Sequence, residues 1–283
     1  MTEKLGLADY HVHTRLCGHA EGEPEDYLRQ AAKLGIDELG FADHCPWPEG
    51  FDADSRMAPE RFADYRYIIE KCRESAGEFG VTVRFGLEVD YVPGKLREIS
   101  EKLGNEDFDY LIGSIHHVGD FPFDNPLTLP QWQDPSVRRH VWESYPRLLE
   151  AMLYDMDFDI IGHIDLPKKF AYVPEDRPAY LEAMHSCLEL AANKGKVMEI
   201  NTAGLRKAAG EIYPAVDILK MATELGVEIC FGSDAHSPGD VGANFKEALR
   251  AVGDAGFTHY TRFTGRRPGK FPLPRAAGDE KVR

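Results

Sequence analysis

The sequence predicts an α/β protein built as a parallel (β/α) barrel, with its active site at the C-terminal ends of the strands. Short apolar segments alternate about seven times with longer helical patterns, and this alternation is typical of a parallel sheet. The strand segments are apolar almost throughout, as in strands that are covered on both faces. The 283 residues suit one barrel-sized domain, predicted over residues 1–275, with a disordered tail at 276–283.

Eight segments have the pattern of strands. They lie at residues 5–13, 38–44, 81–90, 108–117, 158–165, 196–201 and 227–236, with a weaker one at 259–263. Each is a short apolar run that is separated from the next by a helical or turn-like stretch. The first seven therefore predict the barrel strands.

Helical patterns fill the intervals between these strands. They cover residues 23–35, 58–80, 94–104, 135–155, 177–195, 213–226 and 241–256. In the first helix Pro24 suits the first turn and Gly35 suits the C-terminal cap. The second helix carries apolar residues at spacings of three and four, at Phe62, Tyr65, Ile69, Cys72 and Ala76. This spacing predicts one buried face.

Net charge and composition limit the kinds of molecule that the protein is expected to bind. The formal net charge is −15, from 33 basic and 48 acidic residues, so nucleic acid is not expected to bind. No run of about 18 apolar residues occurs and no secretory leader is recognisable, so no membrane partner is expected. The five cysteines lack a CxxC pair and predict reduced thiols in the cytoplasm, with Cys17 interpreted as a packing residue. A monomer or homodimer is expected.

Nine side chains able to bind metal lie at or just beyond the C-terminal ends of six predicted strands. They are His11, His13, His19, His44, Glu88, His116, His163, Asp234 and His236. Such ends meet at one mouth of a parallel barrel. Nine ligands are too many for one ion, and mixed imidazole and carboxylate ligands favour zinc, iron or manganese. The sequence therefore predicts two or three divalent transition metal ions.

These motifs resemble the polymerase and histidinol phosphatase (PHP) family. The resemblance is carried by HxH with a further His six residues on, then "ADH", "GLEVD", "GSIHH", "GHID" and "GSDAH", which span residues 11–236. The stretches "SIHHVGDFPFD", "GHIDLPKKF", "EINTAGLRKAAGEIYP" and "FGSDAHSPGDVG" are similar to the monofunctional histidinol-phosphatase branch. The resemblance implies a distorted (β/α)7 barrel with a trinuclear metal centre.

The resemblance also assigns ligands to individual ions. One ion would be held by His11, His13, Glu88 and Asp234. A second would be held by Glu88, His116 and His163, and a third by His19, His44 and His236. All nine family positions are filled here, so an active centre is expected.

The implied reaction is hydrolysis of L-histidinol phosphate to L-histidinol and phosphate, a step of histidine biosynthesis. A hydroxide shared by two ions about 3.5 to 4 Å apart would attack the phosphoryl group. Arg206, Lys168 and Lys169 follow strand ends and are predicted to bind the phosphate. His117, which is also a candidate for substrate binding, and Asp165 are predicted as general acids for the leaving group. Asp234 and His236 complete the predicted catalytic set.

The loop at residues 119–135 is long and rich in proline and aromatic residues, which favours a functional role. Asp120, Asp124, Phe121 and Phe123 could hold the cationic amine and the imidazole of the substrate.

The sequence also leaves other functions open. A PHP phosphoesterase could act on another small phosphate ester or nucleotide, a polymerase-type exonuclease is disfavoured by the acidic surface, and a PHP domain could bind phosphoesters without catalysis.

Overall fold

Seven parallel strands form the central sheet of the protein in a computed structural model that describes residues 5–104 and 106–274. The strands are β1 (Ala8–Val12), β2 (Glu38–Phe41), β3 (Thr82–Asp90), β4 (Tyr110–Ser114), β5 (His117–Val118), β6 (Phe121–Pro122), β7 (Ile160–Ile161), β8 (Val197–Asn201), β9 (Glu228–Gly232), β10 (His259–Thr264) and β11 (Arg267–Pro272). The helices are α1 (Pro24–Leu34), α2 (Phe62–Phe79), α3 (Leu96–Leu103), α4 (Pro135–Asp155), α5 (Arg177–Asn193), α6 (Val216–Glu224) and α7 (Phe245–Asp254). The tail predicted at 276–283 lies outside the described residues.

The sheet runs in the order β1, β2, β3, β4, β7, β8, β9, and each neighbouring pair is parallel. The chain just past β9 then returns to β1. The backbone N–H of His13 donates to Ala235 O at 2.9 Å, and Ala235 N donates to His11 O at 3.1 Å. These two hydrogen bonds bring the first and last strands together. The predicted seven-stranded (β/α) barrel is therefore confirmed.

The barrel strands end earlier than the sequence predicts. The segment at 158–165 contributes only β7, because the N–H of His163 donates to the Glu199 carboxylate at 2.8 Å instead of continuing the ladder. The segment at 108–117 likewise ends its barrel strand at Ser114, and His117 belongs to the separate hairpin β5–β6. The weak segment at 259–263 forms β10, which pairs antiparallel with β11 outside the barrel.

Aromatic side chains fill the barrel at the end opposite the predicted active site. The rings of Tyr10 and Tyr110 are buried with their centroids 4.9 Å apart, and Phe263 of the β10–β11 hairpin lies 6.0 Å from Tyr10. The Tyr110 hydroxyl donates to Tyr10 O at 2.6 Å. Gly40 and Gly86 leave the room that the Tyr110 ring occupies, since a Cβ at either position would overlap it.

Gly86→Ala is expected to destabilise the fold by about 1 to 3 kcal/mol, because the added methyl overpacks the barrel against the Tyr110 ring. Gly77→Ala is the matched control, since Gly77 lies within α2 with no heavy atom within 4 Å of its added Cβ. Gly77→Ala should stabilise the folded protein by up to about 1 kcal/mol, because alanine has a higher helix propensity than glycine. Urea unfolding checks both, and a Gly86→Ala protein as stable as the wild type contradicts the packing described.

One outer helix, α1, has the boundaries that its sequence signals predict, whereas α2 begins at Phe62 instead of Ala58 and α7 begins at Phe245 instead of Val241. The first begins at Pro24 and ends before Gly35, whose φ of 69° is left-handed and whose N–H donates to Ala31 O and Ala32 O. Within the two described ranges, no helix combines the length and apolar character needed to cross a membrane.

Candidate metal centre

The nine predicted ligands converge at the mouth of the barrel, although they come from widely separated parts of the chain. His11 and His13 are wholly buried at the end of β1, and Glu88 is wholly buried near the end of β3. His163 and His116 follow β7 and β4 and are also buried. Strand ends of a parallel barrel meet at one rim, so strands distant in sequence deliver adjacent side chains.

Glu88 lies at the centre of the cluster. Its Oε2 is 3.3 Å from His11 Nε2 and 2.9 Å from His44 Nδ1. Its Oε1 is 3.0 Å from His163 Nε2 and 3.5 Å from His116 Nε2. Each carboxylate oxygen therefore has a different nearest pair of imidazoles, and His13 Nε2 lies further away, 3.8 Å from Oε2. This arrangement suits a carboxylate shared between two cations.

Asp234 supplies a second carboxylate, which approaches the same Nε2 atoms of the β1 histidines as Glu88 does. Its Oδ1 is 3.3 Å from His13 Nε2, 4.0 Å from His11 Nε2 and 3.4 Å from His236 Nδ1. Ligand atoms of His11, His13 and Asp234 all lie within 4.8 Å of one another. The same holds for His19, His44 and His236, which the family resemblance assigns together to a third ion.

The polar atoms of this cluster fit bound cations. Within residues 5–104 and 106–274, several buried atoms that face the centre lack a hydrogen-bond partner. They are His11 Nε2, His13 Nε2, His44 Nδ1, Glu88 Oε2 and His236 Nε2. Leaving buried polar atoms unpaired is costly, and metal ions would pair all five. Mixed nitrogen and oxygen donors suit divalent transition metals.

Protonation states are mixed across the cluster. Burial disfavours the charged forms of His13 and His116, but the carboxylates beside them outweigh burial and raise the pKa of His13 to about 9 and that of His116 to about 10. Burial works against a charged Glu88, but the neighbouring His11, His44 and His116 outweigh it and hold the Glu88 pKa well below its usual range. Burial lowers the pKa of His44 to about 4. Burial, reinforced by His13, lowers the pKa of His236 to about 2. At neutral pH these two imidazoles are uncharged, and neutral imidazole is the form that binds a metal.

Further carboxylates orient the ligand histidines, and the sequence did not single them out. Glu199 Oε1 lies 2.7 Å from His11 Nδ1, and Asp90 Oδ1 lies 2.7 Å from His116 Nδ1. In each ring the other nitrogen, Nε2, is left facing Glu88. Carboxylates in this position fix the ring and its tautomer, and they raise ligand basicity.

Sequence spacing could have found some of these residues. Asp90 lies two positions after Glu88 on β3, so both side chains point to the same face of the strand. Asp43 precedes His44 directly, and its Oδ1 lies 3.4 Å from His13 Nδ1. Glu199 had no such signal, because the sequence placed no ligand on its strand, β8.

Glu199→Gln is expected to weaken metal binding by about 10- to 100-fold, because a neutral amide orients and polarises His11 less than a carboxylate does. Competition with a chromophoric zinc chelator measures this loss. Glu189→Gln on the exposed surface of α5 is the control and should bind zinc like the wild type. Equal zinc affinity in Glu199→Gln and the wild type shows that this contact does not support the centre.

A cavity of about 540 Å³ opens directly above the cluster. Its walls include the candidate ligands His19, His44, Glu88, His116, His163, Asp234 and His236. Lys169 lines it and pairs with Asp124 of the long loop at 2.9 Å. Lys207 lines it from an exposed position. The cavity therefore places cationic side chains beside the candidate metal ligands.

Two predicted residues are not brought to this cavity. Lys168 is buried, donates to Ile212 O at 2.7 Å, and pairs with Asp165 at 2.8 Å and Glu211 at 3.1 Å. Asp165 is buried too and accepts from Ala215 N at 2.8 Å. Both lie outside the cavity lining. The contacts of Lys168 with Glu211 and Ile212, and of Asp165 with Ala215, join this segment to residues 211–215. We therefore drop the predicted phosphate contact of Lys168 and the predicted general acid at Asp165.

His117 and Arg206 also lie beside the cavity rather than on its walls. The His117 ring is half-buried and packs on Phe51, with centroids 4.7 Å apart. Arg206 Nη2 donates to Ser233 O at 2.7 Å. His117 Nδ1 and Arg206 Nη1 have no hydrogen-bond partner among the described residues, and the substrate and acid roles of these side chains stay predictions.

The long loop contributes less to the cavity than its composition predicts. Phe123 is fully buried in the core, where Trp132 Nε1 donates to its carbonyl at 2.8 Å, and Phe121 packs on the Trp132 ring. Asp120 is exposed outside the lining. Asp124 alone of the four predicted residues lines the cavity. The aromatic residues of this loop serve packing, because the loop folds back on α4.

Cys17 is a buried thiol close to the centre. Its Sγ and ring nitrogens of His13 and His236 lie within 4.8 Å of one another. Burial raises the pKa of Cys17 to about 12, so the sulfur stays protonated and resists oxidation at neutral pH. This protonation state accords with the packing role predicted from the sequence.

A parallel barrel that gathers buried imidazoles and carboxylates at the C-terminal ends of its strands defines a metal-dependent hydrolase of the (β/α)-barrel class. The chain belongs to the PHP family, because the family model described as PHP domain matches residues 9–203. It is 41% identical over 252 residues to the "Probable histidinol-phosphatase" of Deinococcus radiodurans, covering 89% of this chain and 94% of that protein.

Two further proteins are similar to this chain over most of its length. The histidinol-phosphatase of Bacillus subtilis is 30% identical over 264 residues, which cover 85% of this chain and 97% of the relative. The crystal structure of histidinol phosphate phosphatase from Lactococcus lactis, complexed with zinc, L-histidinol and phosphate, aligns with a TM-score of 0.74 at 21% identity. That alignment covers 94% of this chain and 100% of the other, and it supports the fold.

Proposed function

We propose that the protein hydrolyses L-histidinol phosphate to L-histidinol and phosphate. The observation that carries the proposal is the buried Glu88, which faces four imidazoles at the floor of an open cavity. Relatives named as histidinol phosphatases, one of them at 41% identity, support the choice of substrate. A relative of the same fold binds zinc, L-histidinol and phosphate.

The centre is proposed to hold two or three divalent ions, of zinc, iron or manganese. The proposed ligands are the nine predicted from the sequence: His11, His13, His19, His44, Glu88, His116, His163, Asp234 and His236. When bound, such ions supply Lewis acidity that activates water at neutral pH and neutralises charge on a phosphoryl group. The protein contributes the fixed ligand geometry, the orienting carboxylates and the cavity above them.

The cavity walls suit a small substrate that carries both a negatively charged phosphate and a positively charged ammonium group. Its volume of about 540 Å³ is in the range of small-molecule sites and does not admit a nucleic acid duplex. Lys169 and Lys207 line it and attract a phosphate, while Asp54 lines it and attracts an ammonium group; Asp52 and Arg56 also line it and pair with each other at 3.2 Å. L-Histidinol phosphate carries both groups. The formal net charge of −15 further disfavours a nucleic acid substrate.

Hydrolysis of a substrate panel tests this function. With zinc, manganese or iron supplied, kcat/KM for L-histidinol phosphate should exceed that for AMP or p-nitrophenyl phosphate by at least about a hundredfold. Comparable rates on all three esters point to a PHP phosphoesterase with another substrate. Metal binding without hydrolysis of any ester points to a PHP domain that only binds phosphoesters.

The cellular setting also belongs to this proposal. We infer a reducing compartment such as the cytoplasm, because Cys17, Cys45, Cys72, Cys187 and Cys230 are free thiols buried in the fold. A monomer or homodimer is the expected assembly, and sedimentation of the purified chain distinguishes the two.

A further inference from the structure

The segment between β2 and α2 forms one wall of the cavity without an apolar side chain that anchors it in the core. Asp52, Asp54 and Ser55 line the cavity from this segment. Of residues 49–56 only Arg56 is buried, and the other side chains are half-buried or exposed. Burial of apolar side chains is the usual means of fixing a segment to the body of a protein. The contacts of Arg56 are therefore the main polar attachment of this wall.

The Arg56 guanidinium joins three parts of the chain. Its Nη1 donates to the Asp90 carboxylate at 2.9 Å and to Cys45 O at 3.0 Å. Its Nη2 donates to the Asp52 carboxylate and its Nε to the Asp52 carbonyl, each at 3.2 Å. The guanidinium also lies over the Phe51 ring, 4.8 Å from the ring centroid. One planar group thus holds the cavity wall to the chain just past β2 and to the end of β3.

Asp52 has a constrained backbone where Arg56 binds it. Its φ is 44°, in the left-handed region that residues other than glycine adopt uncommonly. Such a conformation persists where the surrounding structure fixes it, and here Arg56 contacts both the carbonyl and the carboxylate of Asp52. The 3-10 turn Ala53–Ser55 follows directly and carries Asp54. The position of Asp54 therefore depends on the contact between Arg56 and Asp52.

The same guanidinium is fixed at its other end to the metal centre. Asp90 Oδ2 accepts from Arg56, while Asp90 Oδ1 lies 2.7 Å from Nδ1 of the candidate ligand His116. One buried carboxylate thus connects the wall that carries Asp54 with a candidate metal ligand. A change in the contacts of Arg56 is expected to change the distance between Asp54 and the centre.

We propose that Arg56 is a positioning residue for substrate specificity. It holds Asp54 at a set distance from the metal centre, so that the site prefers small phosphate esters whose ammonium group lies at a matching distance from the phosphate. This inference rests on the proposed function, which assigns the ammonium group to Asp54 and the phosphate to the centre.

Arg56→Lys tests this role, because lysine keeps a positive charge beside Asp90 but cannot contact Asp90, Cys45 O and both groups of Asp52 together. Calorimetry on the zinc-loaded protein measures the binding of L-histidinol, which carries the ammonium group, and of inorganic phosphate, which does not. L-Histidinol should bind about tenfold more weakly. Phosphate affinity, and zinc affinity measured by chelator competition, should stay within about twofold of the wild type.

A double-mutant cycle with Asp54→Asn separates positioning from independent action. Asp54→Asn alone should also weaken L-histidinol binding by about tenfold. Adding it to Arg56→Lys should cost at most about twofold more, because an Asp54 that is already displaced contributes little. Losses that multiply to about a hundredfold show that the two residues act independently, which overturns the proposal. A tenfold loss of phosphate affinity in Arg56→Lys shows that Arg56 binds the phosphate, which overturns it too.

Arg84→Lys is the matched control, because Arg84 is a half-buried arginine that pairs with Glu38 at 2.7 Å and lies outside the cavity lining. This variant should bind both ligands as the wild type does. If circular dichroism shows that Arg56→Lys is unfolded, Phe51→Leu decides by the same measurements, since it removes the ring that covers the guanidinium. An about two- to fivefold loss of L-histidinol affinity is then expected, and no loss overturns the proposal.

Failure of this inference is distinguishable from failure of the proposed function. A wild-type protein that binds zinc and phosphate but not L-histidinol contradicts the proposed function, and the inference falls with it. A wild-type protein that binds L-histidinol and hydrolyses its phosphate ester supports the function. If Arg56→Lys then binds L-histidinol equally well, only the positioning role of Arg56 is overturned.

Discussion

Replacing Glu88 by glutamine is expected to lower kcat on L-histidinol phosphate by at least about a thousandfold, since bound metals supply several kcal/mol of transition-state stabilisation. The two Glu88 oxygens face His11, His44, His116 and His163 within 3.5 Å. Glutamine keeps the shape of the side chain but removes the negative charge that two cations would share. We therefore expect metal content to fall along with turnover.

Elemental analysis and steady-state kinetics on the same preparation check this expectation. Glu175→Gln is the control, because Glu175 is exposed and pairs only with a surface arginine among the described residues; such pairs contribute little. A Glu88→Gln enzyme that keeps its full metal content and turns over within about tenfold of the wild type contradicts the placement of the centre.

Removing metal with a chelator is expected to abolish activity and to lower the thermal unfolding midpoint by about 10 °C. Ions present at about a thousand times their dissociation constant stabilise the native state by about 4 kcal/mol, and in a domain of this size each kcal/mol shifts the midpoint by about 2 to 4 °C. Without ions, the buried Glu88 and its neighbouring imidazoles lose the cations that pair them.

Circular dichroism melts before chelation, after chelation and after zinc is restored measure this effect. Glu88→Gln is the informative comparison, since a centre already deprived of its shared carboxylate should show a much smaller shift. A wild-type midpoint and activity that do not change after exhaustive chelation indicate that the cluster is structural and holds no catalytic metal.

The sequence predicted the barrel and the convergence of the candidate ligands for one physical reason. In a parallel barrel the C-terminal strand ends share one rim, so a histidine or carboxylate just past each apolar run can be assigned to that rim without knowing any contact. His11, Glu88, His116, His163 and Asp234 all follow this rule.

What the sequence could not predict depends on contacts between distant segments. Glu199 lies 188 residues from His11 along the chain, and only closure of the barrel brings the two within hydrogen-bonding distance. Lys168 and Lys169 are adjacent in sequence and both lie in the 3-10 helix at Leu166–Phe170. In this helix the side chain of Lys168 forms a buried ion pair, whereas the side chain of Lys169 lines the cavity. Periodicity alone cannot separate these two lysines.

A metal centre built around Glu88 is proposed to bind and cleave a small phosphate ester. Anomalous diffraction from crystals grown with zinc, L-histidinol and phosphate tests this proposal most directly. Two or three zinc peaks should lie about 2.0 to 2.3 Å from the proposed imidazole and carboxylate ligands, including both Glu88 oxygens, with phosphate beside them in the cavity. Zinc bound elsewhere, or phosphate bound away from any zinc, contradicts the account.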